Sequence, residues 1–328
     1  MFRFYLFGFL GMIASVTNAE SLSQFVDHNR EQSRYISWQG VEPDKWATVW
    51  LIKRHLDSNA YFQFYPPHTS IHSDGVPFDL PGAALRPQNN LTMFRQLLRE
   101  TALDLPELIY IDEIIHELEA NIWQKNTHPH AAWFEFMFRG LQERYGRDSV
   151  PVDCYLDFFD RLSELSEAKT ISAELYQNSL SLRESCPGAE EQDSAFIPQV
   201  SQKDVLRAIA MGKNVVLVDT RETGEYLEIH LPNAQHIRLR DVGESVARSL
   251  DEADLVVPYC VKDFRAFEVA KALKQRGVET VATLSPNGLK GWLGSGLPVY
   301  KQGEYSDAEA SAELMRCAVE PARCLGEH

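Results

Sequence analysis

Positive charge is scarce in this chain: its 328 residues carry 47 Asp and Glu against 32 Lys and Arg, a formal net charge of −15. Nucleic-acid affinity comes largely from clustered Lys and Arg, so this balance argues against a nucleic-acid partner. Long apolar runs are missing too. Beyond the N-terminus no stretch approaches the roughly 20 consecutive apolar residues of a membrane span. There is no internal repeat and no low-complexity tract. Cysteine is sparse, with five in the chain, so each one deserves an account.

What is present starts with MFRFYLFGFLGMIASVTNA, which has one basic residue, an apolar run from Phe4 to Ala14, then small and polar residues up to Ala19. That pattern predicts a secretory signal over residues 1–19, cut between Ala19 and Glu20. A buried helix or an uncleaved anchor is the alternative, but the run is short for an anchor and no basic cluster follows it. Export, to a bacterial periplasm, is the expectation. An oxidising compartment pairs structural cysteines. Cys154 opens one helical segment and Cys186 closes the next, places that meet in an antiparallel helix pair; Cys317 and Cys324 are seven apart in the tail. Of the three pairings four cysteines allow, geometry favours 154 with 186 and 317 with 324. Cys260 is left over, as a reactive thiol or an intermolecular bridge.

The length is about twice that of a usual domain. Residues 40–186 are mostly helical: a helix from Pro43, a strand in AYFQFY, a loop, a short extended VPFDLPG, then TMFRQLLRETAL, PELIYIDEIIHELEANIW, PHAAWFEFMFRGLQERYG and the cysteine-bearing pair. Residues 20–40 give no firm assignment. CPGAEEQDSAF loses periodicity, marking a linker over 187–197. From 198 to 301 strand-like runs (NVVLVD, DLVVPYC, ETVATL) alternate with helices, the first capped by Ser201, and this alternation predicts a parallel sheet flanked by helices. Residues 302–328 form a tail.

In LVVPYCVKDFRAFEVAKAL, Cys260 lies where a buried strand ends and a helix begins. Loop N–H groups and the positive end of the helix dipole converge there, which favours a thiolate, and Lys262 and Arg265 add positive charge. The bland alternative is a small buried residue at a strand end. Val218-Asp219-Thr220-Arg221, Glu225-Tyr226, His230-Leu231-Pro232 and Ala234, then the Cys260 to Arg265 loop, then Leu284 through Gly288 to Trp292 resemble, in order, three signatures of the rhodanese family. The resemblance implies an α/β rhodanese-like domain. It implies a Cys260 nucleophile that carries sulfur as a persulfide, no required cofactor, and a small sulfur-containing anion and a thiol or cyanide as partners. By the same resemblance Val261, Lys262, Asp263, Phe264 and Arg265 bind substrate, and Asp219 and Arg221 brace the loop as an ion pair rather than react. The rhodanese-like phosphatases and arsenate reductases have five residues between Cys and Arg; four here favour sulfur transfer. Ile229, Asn233 and Asn287 stand where the family has Gly. Asp263 at the rim would repel an anionic donor if its charge points inward; pointing outward, it could pair with Lys262 or a solvent-side base.

WATVWLIKRHLDSNAYFQFYPP, VPFDLPGA, IIHELEA and PHAAWFEFMFRGLQERYG resemble the C-terminal domain of chromate-resistance proteins of the ChrB type, over roughly Asp44 to Gly146. The DNA-binding portion of that family's regulators has no counterpart here. Asp112, His116 and Glu119 share a helical face, and with Asp79 nearby they could hold a divalent metal; a solvated acidic face is the favoured reading. His128 and His130 are read as two exposed histidines of a helix-start turn. Two functions follow. One is an exported sulfurtransferase whose helical domain supplies an acceptor, donor or protein-partner site. The other is a non-catalytic metal- or oxyanion-responsive binding protein, with a rhodanese-like docking unit and Cys260 as a redox sensor.

Overall fold

The structure, a computed structural model, describes residues 22–25, 33–71, 74–88, 90–123, 128–166, 186 and 196–325. The expected leader, the second cysteine-bearing helix apart from Cys186, and most of the linker lie outside the described residues.

Aromatic and β-branched residues in RYISW and YFQFY suit a half-buried pleated surface. They form β1 (Arg34–Trp38) and β2 (Tyr61–Tyr65), which with β3 (Val76–Pro77) make a parallel sheet ordered β2-β1-β3. The central strand, Arg34–Trp38, lies in the stretch 20–40 that the sequence leaves without a firm assignment. Between β1 and β2 runs α1 (Pro43–Leu51), entered through Pro43 in its first turn and buried along its whole length. Helices α2 (Met93–Thr101), α3 (Pro106–Glu119), α4 (Ala131–Tyr145) and α5 (Val152–Ser163) complete a helix-rich unit. Asp44 of α1 accepts from the Met93 and Phe94 N–H groups at 2.7 and 3.0 Å, satisfying otherwise open donors at the start of α2.

In the second half the order is β4 (Gln199–Val200), α6 (Gln202–Ala210), β5 (Val215–Asp219), α7 (Thr223–Glu228), β6 (Ile229–His230), β7 (Gln235–His236), α8 (Glu244–Ser249), β8 (Leu255–Tyr259), α9 (Phe264–Lys274), β9 (Thr283–Leu284), α10 (Gly288–Gly294), β10 (Tyr300–Lys301) and α11 (Asp307–Val319). Ser201 caps α6 in a reciprocal box with Asp204. Strand β5 lies between β7 and β8, all parallel; β4 pairs parallel with β9, and a Val256 to Val281 bridge ties β8 to the segment leading into β9. Side-chain alternation splits the core between the two faces. Leu217 and Val257 pack with α6, Trp292 and α11, whereas Val218 and Val256 pack with α8 and α9.

The halves share a core. Phe264 and Phe267 of α9 belong to the buried cluster of the helical unit, and Phe138 meets Phe264 edge-on at 5.9 Å. The segment before α9 therefore lies at the domain seam. Cys154 is bonded to Cys186 and Cys317 to Cys324, with Cα separations of 5.1 and 5.5 Å, and Cys260 is free.

Candidate active site at the domain seam

Strand β8 delivers Cys260 to a loop that ends at α9, and a second segment braces that loop. Leu289 N–H donates to the Cys260 carbonyl at 2.8 Å and Lys290 N–H to that of Val261 at 3.2 Å. Gly288, at φ +46, lies so close that a Cβ there would overlap the Cys260 and Lys262 carbonyl oxygens. Asp219 and Arg221 are fully buried; Arg221 makes a two-pronged contact with Asp219 (2.6 Å at its shortest) and donates to the Ile229 carbonyl at 2.6 Å, tying the end of β5 to β6. Arg265 donates to Glu225 at 2.9 Å, so the Glu-Tyr segment and the cysteine loop are joined by an ion pair.

Residues 201–295 match the model of the rhodanese-like domain, and residues 35–166 match that of the ChrB C-terminal domain. Over 102 residues the chain is 30% identical to the "Putative sulfurtransferase YtwF" of Bacillus subtilis (strain 168), covering 96% of that protein and 31% of this chain. This chain belongs to the rhodanese-like family. It is also 28% identical over 103 residues to the "Putative sulfur carrier protein YrkF" of the same organism, 31% of this chain but only about half (55%) of that protein's length. A solved rhodanese-like domain from Anabaena sp. is similar at 20% identity, over 34% of this chain and 87% of that one, with a TM-score of 0.30. At family level the rhodanese-like domain carries a sulfur-transfer role.

Three of the departures from the family's glycines have simple geometry. Asn233 and Asn287 adopt the left-handed region at φ +55 and +58, which asparagine tolerates better than other non-glycine residues, and Ile229 is extended. The Asn287 Oδ1 also accepts from Lys262 Nζ at 3.2 Å.

The rhodanese-like loop does not face solvent, because the helical domain covers it. Cys260 is 1% exposed. Asp263 points neither into the cradle nor toward a solvent-side base: it is buried against Arg139 at 2.5 Å and Arg147 at 3.0 Å, both from the helical domain. Burial works against its charge, but Arg147 and Arg139 hold its carboxyl below the usual carboxylate range. Lys262 pairs with Glu135 at 2.9 Å. Phe264 is buried beneath the Arg139 guanidinium, 4.3 Å from its ring centroid, and Val261 is buried. Further along the seam Lys290 pairs with Glu117 and Lys271 with Asp148. A cleft of about 490 Å³ opens beside Asp263, between Arg139, Arg147 and Asn287.

This enclosure overturns the expected low-pKa thiolate. Burial pushes the Cys260 thiol up to about 12; Arg265 and the Ala266 N–H pull it down, while Glu119 and Asp263 push it further up. The resting group is therefore a thiol. Arg265, expected to bind substrate, is instead engaged by Glu225 and by the helical domain. It donates to the Glu119 carbonyl at 3.1 Å and lies 3.9 Å from the Glu119 carboxylate.

The metal set does not assemble. Asp112 makes a two-pronged contact with Arg95 at 2.9 and 3.0 Å, Glu119 turns to Arg265, and Asp79 pairs with Lys45 at 2.9 Å. Desolvation lowers the His116 pKa to about 4. Among the described residues the one group of three candidate ligands close enough to share an ion is Glu313 with Cys317 and Cys324, and the two sulfurs are already bonded to each other. His128 and His130 are not an exposed pair: His130 is buried, with Nδ1 2.9 Å from the Tyr110 hydroxyl, and His128 is half-buried beside Glu113. The covering residues Glu135, Arg139 and Arg147 carry no spacing that marks them as partners of a loop some 120 residues away. Asp263, an acid in an anion cradle, was the signal that a basic partner had to come from elsewhere.

Proposed function

We propose that the protein is an exported rhodanese-type sulfurtransferase in which Cys260 carries sulfane sulfur from thiosulfate or a related donor to cyanide or a thiol. The observation that carries this reading is the placement of the chain's free cysteine at the strand-to-helix loop, braced by the Leu289 and Lys290 N–H groups. In the first step the Cys260 thiolate attacks the outer sulfur of thiosulfate. A sulfur–sulfur bond forms at Cys260, the donor's own sulfur–sulfur bond breaks, and sulfite leaves with the electron pair. In the second step cyanide or a thiolate attacks the outer persulfide sulfur and the Cys260 thiolate departs. Four residues between Cys260 and Arg265 favour a sulfane donor over phosphate or arsenate. No cofactor enters either step. Because the thiol is buried and protonated, the helical domain must lift from the loop and the proton must leave before attack. Export is supported by the apolar N-terminal run and by two disulfides that leave Cys260 as the single thiol.

The test is intact mass spectrometry of the protein with and without thiosulfate, for wild type and Cys260→Ser. A gain of one sulfur on wild type alone, removed by cyanide, supports the reading. No gain from thiosulfate or any other sulfane donor sinks it. The enclosure of Cys260 favours one second reading, a binding protein whose rhodanese-like unit docks a partner and whose thiol senses redox state. It predicts no sulfur uptake but slow oxidation of Cys260.

A further inference from the structure

Arg265 is held from both sides of the domain seam. On its own side Nη1 donates to Glu225 at 2.9 Å. On the other, Nη2 donates to the carbonyl of Glu119, the last residue of α3, where the negative end of the helix dipole also favours a cation. The Glu119 carboxylate is 3.9 Å from Arg265 Nε, and Glu42 is 4.0 Å away. Glu119 is 7% exposed; its Oε1 and the Nε of Arg265 make no hydrogen bond, although buried polar atoms rarely stay unpaired. Both residues line a small, half-open pocket of about 20 Å³ between the domains, with Glu42, Asp44 and Glu225, enough for about one water.

The groups that bear on the Cys260 thiol are Arg265 and Asp263 from its own loop and helix and Glu119 from α3. Lys262 is engaged by Glu135 and Asn287. Around Glu119 itself stand Arg265, Asp44, Glu225 and Glu268, with Glu42 beyond. Three acids, Glu225 from its own domain and Glu119 and Glu42 from the helical one, thus share one guanidinium.

We propose that Glu119, supplied by the helical domain, is a positioning residue for Cys260, competing with the thiolate for Arg265 while the domains are closed and releasing that cation to the thiolate and the incoming anion when they part. Only the last clause rests on the sulfur-transfer reading. Burial raises the Glu119 carboxyl to about 8, still well below the thiol, so across the alkaline range in which the thiol titrates Glu119 is already ionised and contends for the guanidinium. As the domains part, the thiol proton goes to solvent and Arg265 stabilises the thiolate left behind.

The experiment is an alkaline titration of thiolate absorbance on the full chain, with the Cys260→Ser spectrum subtracted so that tyrosinate cancels. In Glu119→Gln the midpoint falls by about one pH unit or more, the size of shift expected when a nearby cation is freed from a competing charge. In Glu119→Asp, whose shorter carboxylate stands further from Arg265, it falls by less, and this variant also serves if the glutamine does not fold. Asp148→Asn, which breaks the Lys271 ion pair elsewhere on the seam, leaves the midpoint unchanged. An unshifted midpoint in both Glu119 variants, or an equal shift in Asp148→Asn, overturns the proposal. Because the readout is thiol ionisation, it is independent of sulfur uptake: a shifted thiol that never gains sulfur defeats the transferase reading alone, and an unshifted thiol that does gain sulfur defeats this one alone.

Discussion

Gly288 decides how tightly the two segments around Cys260 can pack. Its backbone lies against the Cys260 and Lys262 carbonyls at a positive φ, so any side chain must push the cysteine loop away while also paying backbone strain. Gly288→Ala is expected to lose about 1–3 kcal/mol of stability by overpacking. Because displacing a reacting atom by an ångström can cost about a hundredfold, sulfur loading on Cys260 should fall at least about tenfold. Urea unfolding and the mass assay check the two parts, and a variant that loads sulfur at the wild-type rate would refute the bracing role. Gly288 was legible in the sequence as part of a closing signature. Its reason was not, because the atoms it must avoid belong to a loop nearly thirty residues earlier.

At the scale of elements, α3 and α4 are lids as much as scaffold. Arg139 of α4 and Arg147 just beyond it hold Asp263, while Glu119 at the end of α3 holds Arg265. Replacing Asp263 by Ala removes the carboxylate that Arg139 and Arg147 share across the seam. A fully buried pair broken this way costs about 3–5 kcal/mol; Arg139 is 27% exposed and keeps Glu135, so about 2 kcal/mol is expected here. The same change should loosen the seam and speed iodoacetamide modification of Cys260, and an unchanged rate would mean that these pairs do not hold the domains together. The elements themselves were largely readable: alternation marked β5 and β8, and Ser201 marked α6. Strand β1 was missed because RYISW is short and sits in a polar stretch. Its strand character depends on β2 and β3, which arrive later in the chain. The lid was illegible for the same kind of reason, since surface-like charges on an amphipathic helix look solvated until the facing domain is known. Glu119 had been singled out, but for a metal set that Arg95 and Arg265 take apart.

For the whole molecule, the seam gives stability a characteristic pH dependence. Burial raises the carboxyls of Glu119 to about 8 and of Asp44 and Glu268 to about 7. Each binds its proton more tightly folded than unfolded. Their contribution is complete below the ordinary carboxylate range and is lost as pH rises through 7 to 8. Asp263, whose carboxyl is lowered, acts oppositely and only at strongly acid pH. Histidines whose pKa burial lowers, His116 among them, oppose this below about pH 6.5, where the unfolded chain protonates them. Above that range the urea midpoint should fall between about pH 7 and about pH 9, and a rise over that interval would contradict the buried-acid account. The central claim is that Cys260, enclosed as it is, carries sulfur, and intact mass after incubation with thiosulfate tests it most directly. The account predicts one added sulfur on wild type, none on Cys260→Ser, and faster loading in Asp263→Ala, where the lid is loosened. A wild-type protein that takes no sulfur from thiosulfate or any other sulfane donor, with the lid closed or loosened, would contradict it.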